Sequence, residues 1–144
     1  MSGGLGIGRD LSSKKGSGAD PGTVSGAGSA YVYIRSGSVW SQGAIITASN
    51  KASAHYFAAS VAMTDTYLLI GAYGATMSSF SSAGVAYIYS RVSSTWPQET
   101  IISPTTVVNA ASFGRSVSIT DNYALVGAQN ADVGAILKAG AAYI

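Results

Sequence analysis

The sequence predicts an all-β fold, and three observations support this. Short segments rich in β-branched and aromatic side chains recur along the 144-residue chain, without the 3.6-residue apolar period of a helix. Turns containing Gly, Ser or Asp separate these segments. The chain is 47% hydrophobic and only 10% charged, which supplies enough apolar surface for a packed core. These features together favour an array of short antiparallel strands.

The strongest signal is an internal repeat with a period of 56 residues. The segment Gly28–Tyr33 recurs as Gly84–Tyr89 and again as Gly140–Ile144. Further pairs at the same spacing are Trp40 and Trp96, Phe57 and Phe113, Ser60 and Ser116, and Asp65 and Asp121. A fixed period of this length predicts duplicated structural units that pack on one another.

One repeat unit predicts four strands. They are expected over residues 57–64, 67–72, 84–91 and 95–103. The second is a nearly continuous apolar run, which is typical of a strand covered on both faces. Asp65-Thr66 is predicted to form the first turn, because Asp can bond to its own backbone there. Pro104 is expected to end the fourth strand.

Four strands in a 56-residue unit predict β-propeller blades. A β-sandwich is the rival architecture, but it does not require so regular a repeat. Residues 28–144 divide into a partial blade at 28–50, a full blade at 51–107 and a second partial blade at 108–144. This gives about two and a quarter blades, an incomplete ring. Residues 1–27 are Gly/Ser-rich and are predicted to be a flexible N-terminal segment.

The residues of the third unit carry a family resemblance. The motifs are Phe113–Ile119, Tyr123–Ala128 and Gly140–Ile144, preceded by Trp96–Ile102. In this order and spacing they resemble the FG-GAP repeat of the integrin α-subunit propeller, in the form found as tandem copies in bacterial proteins. The second unit departs from the motif at Ala58, where the family has Gly.

The resemblance implies a propeller, usually of seven blades, in a secreted or cell-surface protein that acts in adhesion or ligand binding. Integrin repeats often hold calcium in an Asp-rich loop. Here residues 73–83 contain no carboxylate, and residues 129–139 contain only Asp132. Calcium needs six to eight oxygen ligands. We therefore predict neither a metal site nor a cofactor, and assign Asp65 and Asp121 to turns.

The sequence offers little catalytic chemistry, and we predict no catalytic residues. There is no Cys, and the only histidine, His55, is predicted to have a surface or loop role. Ser60 and Ser116 are expected to pack between blades, as are Trp40 and Trp96. A net charge of +2 provides no basic stripe for nucleic acid, and no apolar run is long enough to span a membrane.

The predicted function is that of a non-catalytic binding or adhesion scaffold, which recognises a protein or glycan through propeller loops. Loops 73–83 and 129–139 are the places where we look for recognition, because loops on rigid scaffolds usually carry it. No individual ligand-binding residue is predicted. The alternative is a fragment of a propeller hydrolase or lyase whose active site lies outside this segment.

An incomplete ring predicts two apolar blade faces that need partners. Such faces do not persist on soluble monomers. Further blades are expected either from a longer parent chain or from self-association of several copies. On this interpretation the isolated chain is not a stable monomer.

Overall fold

The computed structural model describes residues 5–10 and 25–144. This part of the chain forms ten strands: β1 (Leu5–Asp10), β2 (Ser29–Ser36), β3 (Val39–Ile46), β4 (Phe57–Met63), β5 (Tyr67–Ala72), β6 (Val85–Ser90), β7 (Gln98–Ile102), β8 (Phe113–Ile119), β9 (Ala124–Ala128) and β10 (Ala141–Tyr143). The same residues include no helix, and hence none that could cross a membrane.

The strands form three antiparallel sheets in chain order. Sheet I has the order β1-β2-β3, sheet II the order β4-β5-β6-β7, and sheet III the order β8-β9-β10. Sheet II is a complete four-stranded blade, and it lies inside the predicted 51–107 unit. The all-β class and the partial propeller blades are confirmed. The strands of sheet II agree with the predicted segments to within three residues at either end.

Strand β1 lies within the segment that was predicted to be flexible. Leu5–Asp10 pairs with β2, so that Leu5 lies opposite Ile34. In sheet II, the residue equivalent to Ile34 is Ser90, and Tyr67 of β5 lies opposite it. Strand β1 therefore takes the position that β5 has in sheet II. The first partial blade was predicted to contain only its third and fourth strands, and β1 adds the strand in the second position. The other residues of the 1–27 segment that precede Ser25 lie outside the described residues, so its flexibility stays a prediction there.

Sheet II is covered on both faces by its neighbours. Leu68 and Ile70 belong to a core shared with sheet I, to which Val32 and Phe57 also contribute. Leu69 belongs to a second core shared with sheet III. The alternating side chains of one strand thus serve two cores, which explains why β5 is apolar at every position. Each large side chain buried in this way stabilises the fold by roughly 1.5–3 kcal/mol.

Two ends of the sheets must be distinguished. The turn end carries the tight turns that join β4 to β5 and β6 to β7. The loop end carries the loop between β5 and β6 and the connection from each sheet to the next. At the turn end, the Thr64 hydroxyl accepts hydrogen bonds from the N–H groups of Thr66 (3.2 Å) and Tyr67 (3.0 Å). Thr120 accepts the same bond from Tyr123 at 3.1 Å.

The turns were predicted at the right places, but with Asp as their cause. A threonine hydroxyl one residue earlier provides the local side-chain to backbone bond instead. Asp65 and Asp121 are exposed turn residues.

The backbone repeats its unusual conformations every 56 residues. Ala58 and Gly114 both have a positive φ, of 65° and 83°. They follow Phe57 and Phe113 in a bulge that shifts the register of β4 and β8. Ala58 therefore adopts the conformation that favours the Gly of the repeat motif, and an L residue held there stores strain.

Candidate functional site

Loops 73–83 and 129–139, where recognition was predicted, share one backbone framework. Their common hydrogen bonds join Met77 with Phe80 in the first loop and Val133 with Ile136 in the second. Ala75 and Ala131 are both buried beneath these turns. The two loops are therefore held in the same shape, and any difference in what they recognise must come from their side chains.

The only acid in the two loops has a structural role. An Asp132 carboxylate oxygen accepts a hydrogen bond from the Lys138 N–H at 2.8 Å. Within residues 5–10 and 25–144, no three His, Cys, Asp or Glu side chains come close enough to hold a metal ion. The calcium loop of integrin repeats thus has no equivalent donor set in these loops.

A stack of three side chains lies at the loop end, between sheets II and III. The rings of Tyr56 and Tyr73 are parallel within 7°, with their centroids 5.0 Å apart. The guanidinium carbon of Arg115 lies 4.4 Å from the centroid of the Tyr73 ring. Tyr56 and Arg115 are both exposed. Stacking on the ring fixes the plane of the guanidinium while its edge can still donate hydrogen bonds.

All three stacked residues depart from the repeat. The corresponding residues 56 positions away are Ser112 for Tyr56, Gln129 for Tyr73 and Ala59 for Arg115. The fold therefore accepts small or polar residues at these positions. Sequence reasoning missed Tyr56 and Arg115 and covered Tyr73 only as part of a loop. The sequence does carry a signal for them, since all three are positions at which the two units have side chains of different size and chemistry.

The candidate catalytic side chains do not come together. The Ser60 hydroxyl donates to the carbonyl of Gly114 at 2.7 Å, which confirms its packing between sheets II and III. The equivalent Ser116 is exposed on sheet III, so the prediction that it packs between blades is wrong within the described residues. His55 was predicted to have a surface or loop role. It lies in the loop that leads to β4, but it is only 7% exposed, so it is a buried loop residue and not a surface one. The repeat explains this burial, because Ala111 is buried at the same place.

His55 is unusual among the described residues in another respect. Its Nδ1 atom is buried without a hydrogen-bond partner. Burial lowers the pKa of the imidazole below its usual value of 6.5. Burial therefore disfavours the charged form of His55 in the folded protein.

The two tryptophans have different surroundings. Trp96 is buried in the core between sheets I and II, as predicted, and the Arg91 guanidinium lies 5.9 Å from its ring. Trp40 is half exposed on sheet I. It matches Trp96 in sequence, but its predicted packing between blades is not found, because among the described residues no sheet covers that face.

An open groove lies at the turn end of the sheets, at the opposite end from the stack of Tyr56, Tyr73 and Arg115. Its volume is about 200 Å³, and its lining includes Tyr67, Glu99, Asp121 and Tyr123. The groove follows the boundary between sheets II and III. Its two carboxylates lie in a wide, solvent-open space, and they define no enclosed binding site.

Stacked four-stranded units with a common loop framework define a propeller-type repeat scaffold. The sequence model of the FG-GAP repeat matches residues 40–89 and 96–144, more than half of the chain. The chain therefore belongs to the FG-GAP repeat family. Among curated proteins, none matches it significantly. FG-GAP repeats are propeller repeats that imply a protein-binding or scaffold domain, and they are typical of extracellular or surface proteins.

Proposed function

We propose that this protein is a non-catalytic adhesion or binding scaffold of the cell surface or the extracellular space. It recognises a protein or glycan partner at its loop end. The stack of Tyr56, Tyr73 and Arg115 carries the proposal for three reasons. Tyr56 and Arg115 are exposed on either side of the half-buried Tyr73, the three side chains contact one another, and the repeat does not require them. Tyr and Arg are also the residue types that contribute most often to binding hot spots.

The stack suits recognition because its side chains are already fixed. An unconstrained Arg or Tyr loses rotamer freedom when a partner binds, at a cost of about 0.5–1.5 kcal/mol for each side chain. Here Tyr73 lies between Tyr56 and Arg115, so part of this cost has been met in the free protein. The Arg115 guanidinium would donate hydrogen bonds from its free edge to a carboxylate or a sugar hydroxyl, and Tyr56 would offer apolar contact.

The alternative function, a fragment of a propeller hydrolase or lyase, places the active site outside this segment, and the described residues offer no nucleophile and base pair of their own. The Ser60 hydroxyl donates to a backbone carbonyl rather than to a base. A serine nucleophile needs an adjacent general base. The one histidine is buried and has no polar partner at Nδ1.

The repeat itself provides the variants for a test. Tyr56→Ser, Tyr73→Gln and Arg115→Ala each introduce the residue that the sister unit carries in the same framework. The triple variant should fold normally. We would first measure binding of the unmodified chain to a panel of immobilised glycans and extracellular matrix proteins. For each binder found, the triple variant should lose at least about tenfold in affinity, a typical hot-spot effect.

A matched control places a substitution at the opposite end of the same sheet. Thr66→Asn introduces the residue that the next unit carries at Asn122, and it should leave binding unchanged. Thermal unfolding of both variants checks the fold. Binding that survives the triple substitution would exclude the stack as the recognition site. Replacing the whole of loop 73–83 would be a poorer test, because its buried Ala75 and Ala83 support the fold.

A further inference from the structure

The exposed charges of residues 25–144 are divided unequally between the two ends of the sheets. The loop end has three cations and one acid, which are Lys51, Arg115, Lys138 and Asp132. The turn end has two cations and three acids, which are Arg35, Arg91, Asp65, Glu99 and Asp121. The one carboxylate at the loop end already accepts the Lys138 N–H at 2.8 Å. The loop end is therefore the positive end of this part of the chain, and it attracts anionic ligands.

Two glycines make room for the ring of Tyr56 in the stack at this end. A Cβ atom on Gly74 would lie 2.6 Å from Cδ2 of Tyr56, closer than Cβ atoms come to other heavy atoms in folded proteins. It would also collide with the carbonyl oxygen of Ala54. A Cβ atom on Gly26 would lie 3.6 Å from Cε1 of the same ring. The backbone beneath the ring is thus shaped to hold it.

The sister unit replaces both the ring and its seat. The counterparts of Gly26 and Gly74 are Ser82 and Asn130, and the counterpart of Tyr56 is Ser112. In that unit the Asn130 side-chain amide donates to the Ser112 hydroxyl at 3.3 Å. A short polar pair therefore stands where the other unit has a seated aromatic ring. The two units differ here in a whole surface and not in a single side chain.

We infer that the stack binds a carboxylated sugar, a uronic acid residue of an acidic polysaccharide, and this rests on the proposed function. The planar guanidinium of Arg115 matches a carboxylate, to which it can donate two parallel hydrogen bonds. The exposed ring of Tyr56 offers an apolar surface to the C–H face of a pyranose. A uronic acid presents both features, a carboxylate and a rigid apolar face, on one ring.

An acidic protein segment fits this surface less well. The anchor side chains of protein partners are buried in pockets, whereas Tyr56 and Arg115 are exposed side chains that stand beside the half-buried Tyr73. An Asp or Glu side chain would also lose rotamer freedom on reaching Arg115, while a pyranose already holds its carboxylate in place. The groove at the turn end is lined by Glu99 and Asp121, which repel either kind of polyanion.

The test compares two polymers that differ only in charge. An oligogalacturonate and its fully methyl-esterified form have the same sugar ring and linkage, but only the first carries carboxylates. Binding of the complete chain to each is measured by calorimetry. We expect the acid to bind at least about tenfold more tightly than the ester, and its affinity to fall as salt is added. An oligoglutamate with the same number of charges should also bind at least about tenfold more weakly than the oligogalacturonate.

Substitutions separate the stack from the general charge of the protein. Arg115→Ala and Tyr56→Ser introduce the residues of the sister unit, and each should weaken oligogalacturonate binding at least about tenfold. Arg115→Lys should restore only part of this loss, because an ammonium group keeps the charge but not the planar fork. The matched control is Arg91→Ala, which removes an exposed arginine that lies beside Trp96 at the turn end. It should change the affinity by less than about twofold, and thermal unfolding checks every variant.

The possible results lead to different conclusions. Equal binding of the acid and the ester, or tighter binding of the oligoglutamate, would exclude a carboxylated sugar as the ligand. An equal loss with Arg91→Ala would exclude it too, because net charge alone would then explain the binding. If the oligogalacturonate does not bind but the stack variants lose another partner, only the uronic acid is excluded and the proposed function stands. If no stack variant weakens any binder of the chain, the stack is not a binding site and both are excluded.

Discussion

Sheets II and III carry the same residue pattern but bury it to different extents. Leu69 of sheet II is completely buried, whereas Leu125, at the same position of sheet III, is 41% exposed. The tryptophans show the same contrast between sheets II and I, since Trp96 is 8% exposed and Trp40 is 51% exposed. The residues and the backbone are alike, so the difference comes only from whether another sheet lies against that face.

In a stacked-sheet protein, the burial of a side chain is therefore set by the contact between sheets and not by the residue type alone. In repeat proteins, stability is approximately the sum of the terms of each unit and of its interfaces with neighbours. Sheet II has two such interfaces, and sheets I and III have one each within the described residues. Equivalent substitutions should therefore have unequal effects, and their difference measures the junction.

The largest expected difference is between the two leucines. Leu69→Ala should lower the free energy of unfolding by about 2–5 kcal/mol, because it leaves a cavity between sheets II and III. Leu125→Ala should cost less than about 1 kcal/mol, because its side chain is already partly solvated. Urea unfolding of both variants measures the difference. Equal losses would mean that the outer face of sheet III is covered in solution.

The junction glycines provide the next largest effect. Gly84→Ala should cost about 2–4 kcal/mol, since it adds an overlap with the Phe113 carbonyl to the cost of a positive φ. Gly140→Ala has the same φ cost but no opposing backbone, so about 1 kcal/mol is expected. Thermal or urea unfolding gives both values. A Gly140→Ala variant as destabilised as Gly84→Ala would mean that another backbone lies against Gly140 in solution.

A smaller effect of opposite sign is expected at Ala58. Its φ of 65° is unfavourable for an L residue, and the next unit has Gly114 there. Ala58→Gly should therefore stabilise the protein by about 1 kcal/mol. Ala62→Gly is the matched control in the same strand, and it should destabilise by roughly 0.5–1 kcal/mol. If Ala58→Gly destabilised the protein as much as Ala62→Gly, relief of the positive φ would not outweigh the loss of the buried Ala58 methyl group.

Most of the fold could be predicted because the repeat fixes the phase of the strands. Residues Tyr67–Ala72 form a strand with the predicted bounds, and the run is apolar because both its faces are buried. Strand β1 was missed for two reasons. Gly6 and Gly8 weaken its β signal. In addition, the 56-residue period predicts the counterpart of Tyr67 at position 11, whereas Leu5, six residues earlier, takes that place in the sheet.

The candidate site was less predictable than the fold. Periodicity identifies what the two units share, whereas Tyr56, Tyr73 and Arg115 are positions at which they differ. Their proximity also depends on how sheets II and III stack, since Arg115 belongs to β8 and the tyrosines flank β4 and β5. A strand pattern alone does not specify contacts between sheets.

The smallest expected effect is a pH dependence that is specific to the junction between sheets I and II. His55 is buried in the connection to β4, whereas its counterpart in the connection to β8 is Ala111. Burial holds the pKa of His55 below its usual value of 6.5, so between these two pKa values the unfolded chain binds more protons. His55 therefore stabilises the fold least at low pH: its contribution is complete above about pH 6.5 and is lost as the pH falls through the folded pKa.

His55→Ala introduces the residue of the sister unit and should remove this loss. Because the chain contains no other histidine, the urea midpoint of the variant should change less than that of the original chain between about pH 8 and about pH 5. The same slope in both proteins would mean that the imidazole is solvated in the native state. A steeper slope confined to the original chain would instead assign the pH sensitivity to His55, at the junction between sheets I and II. The junction between sheets II and III would then be insensitive to pH over this range.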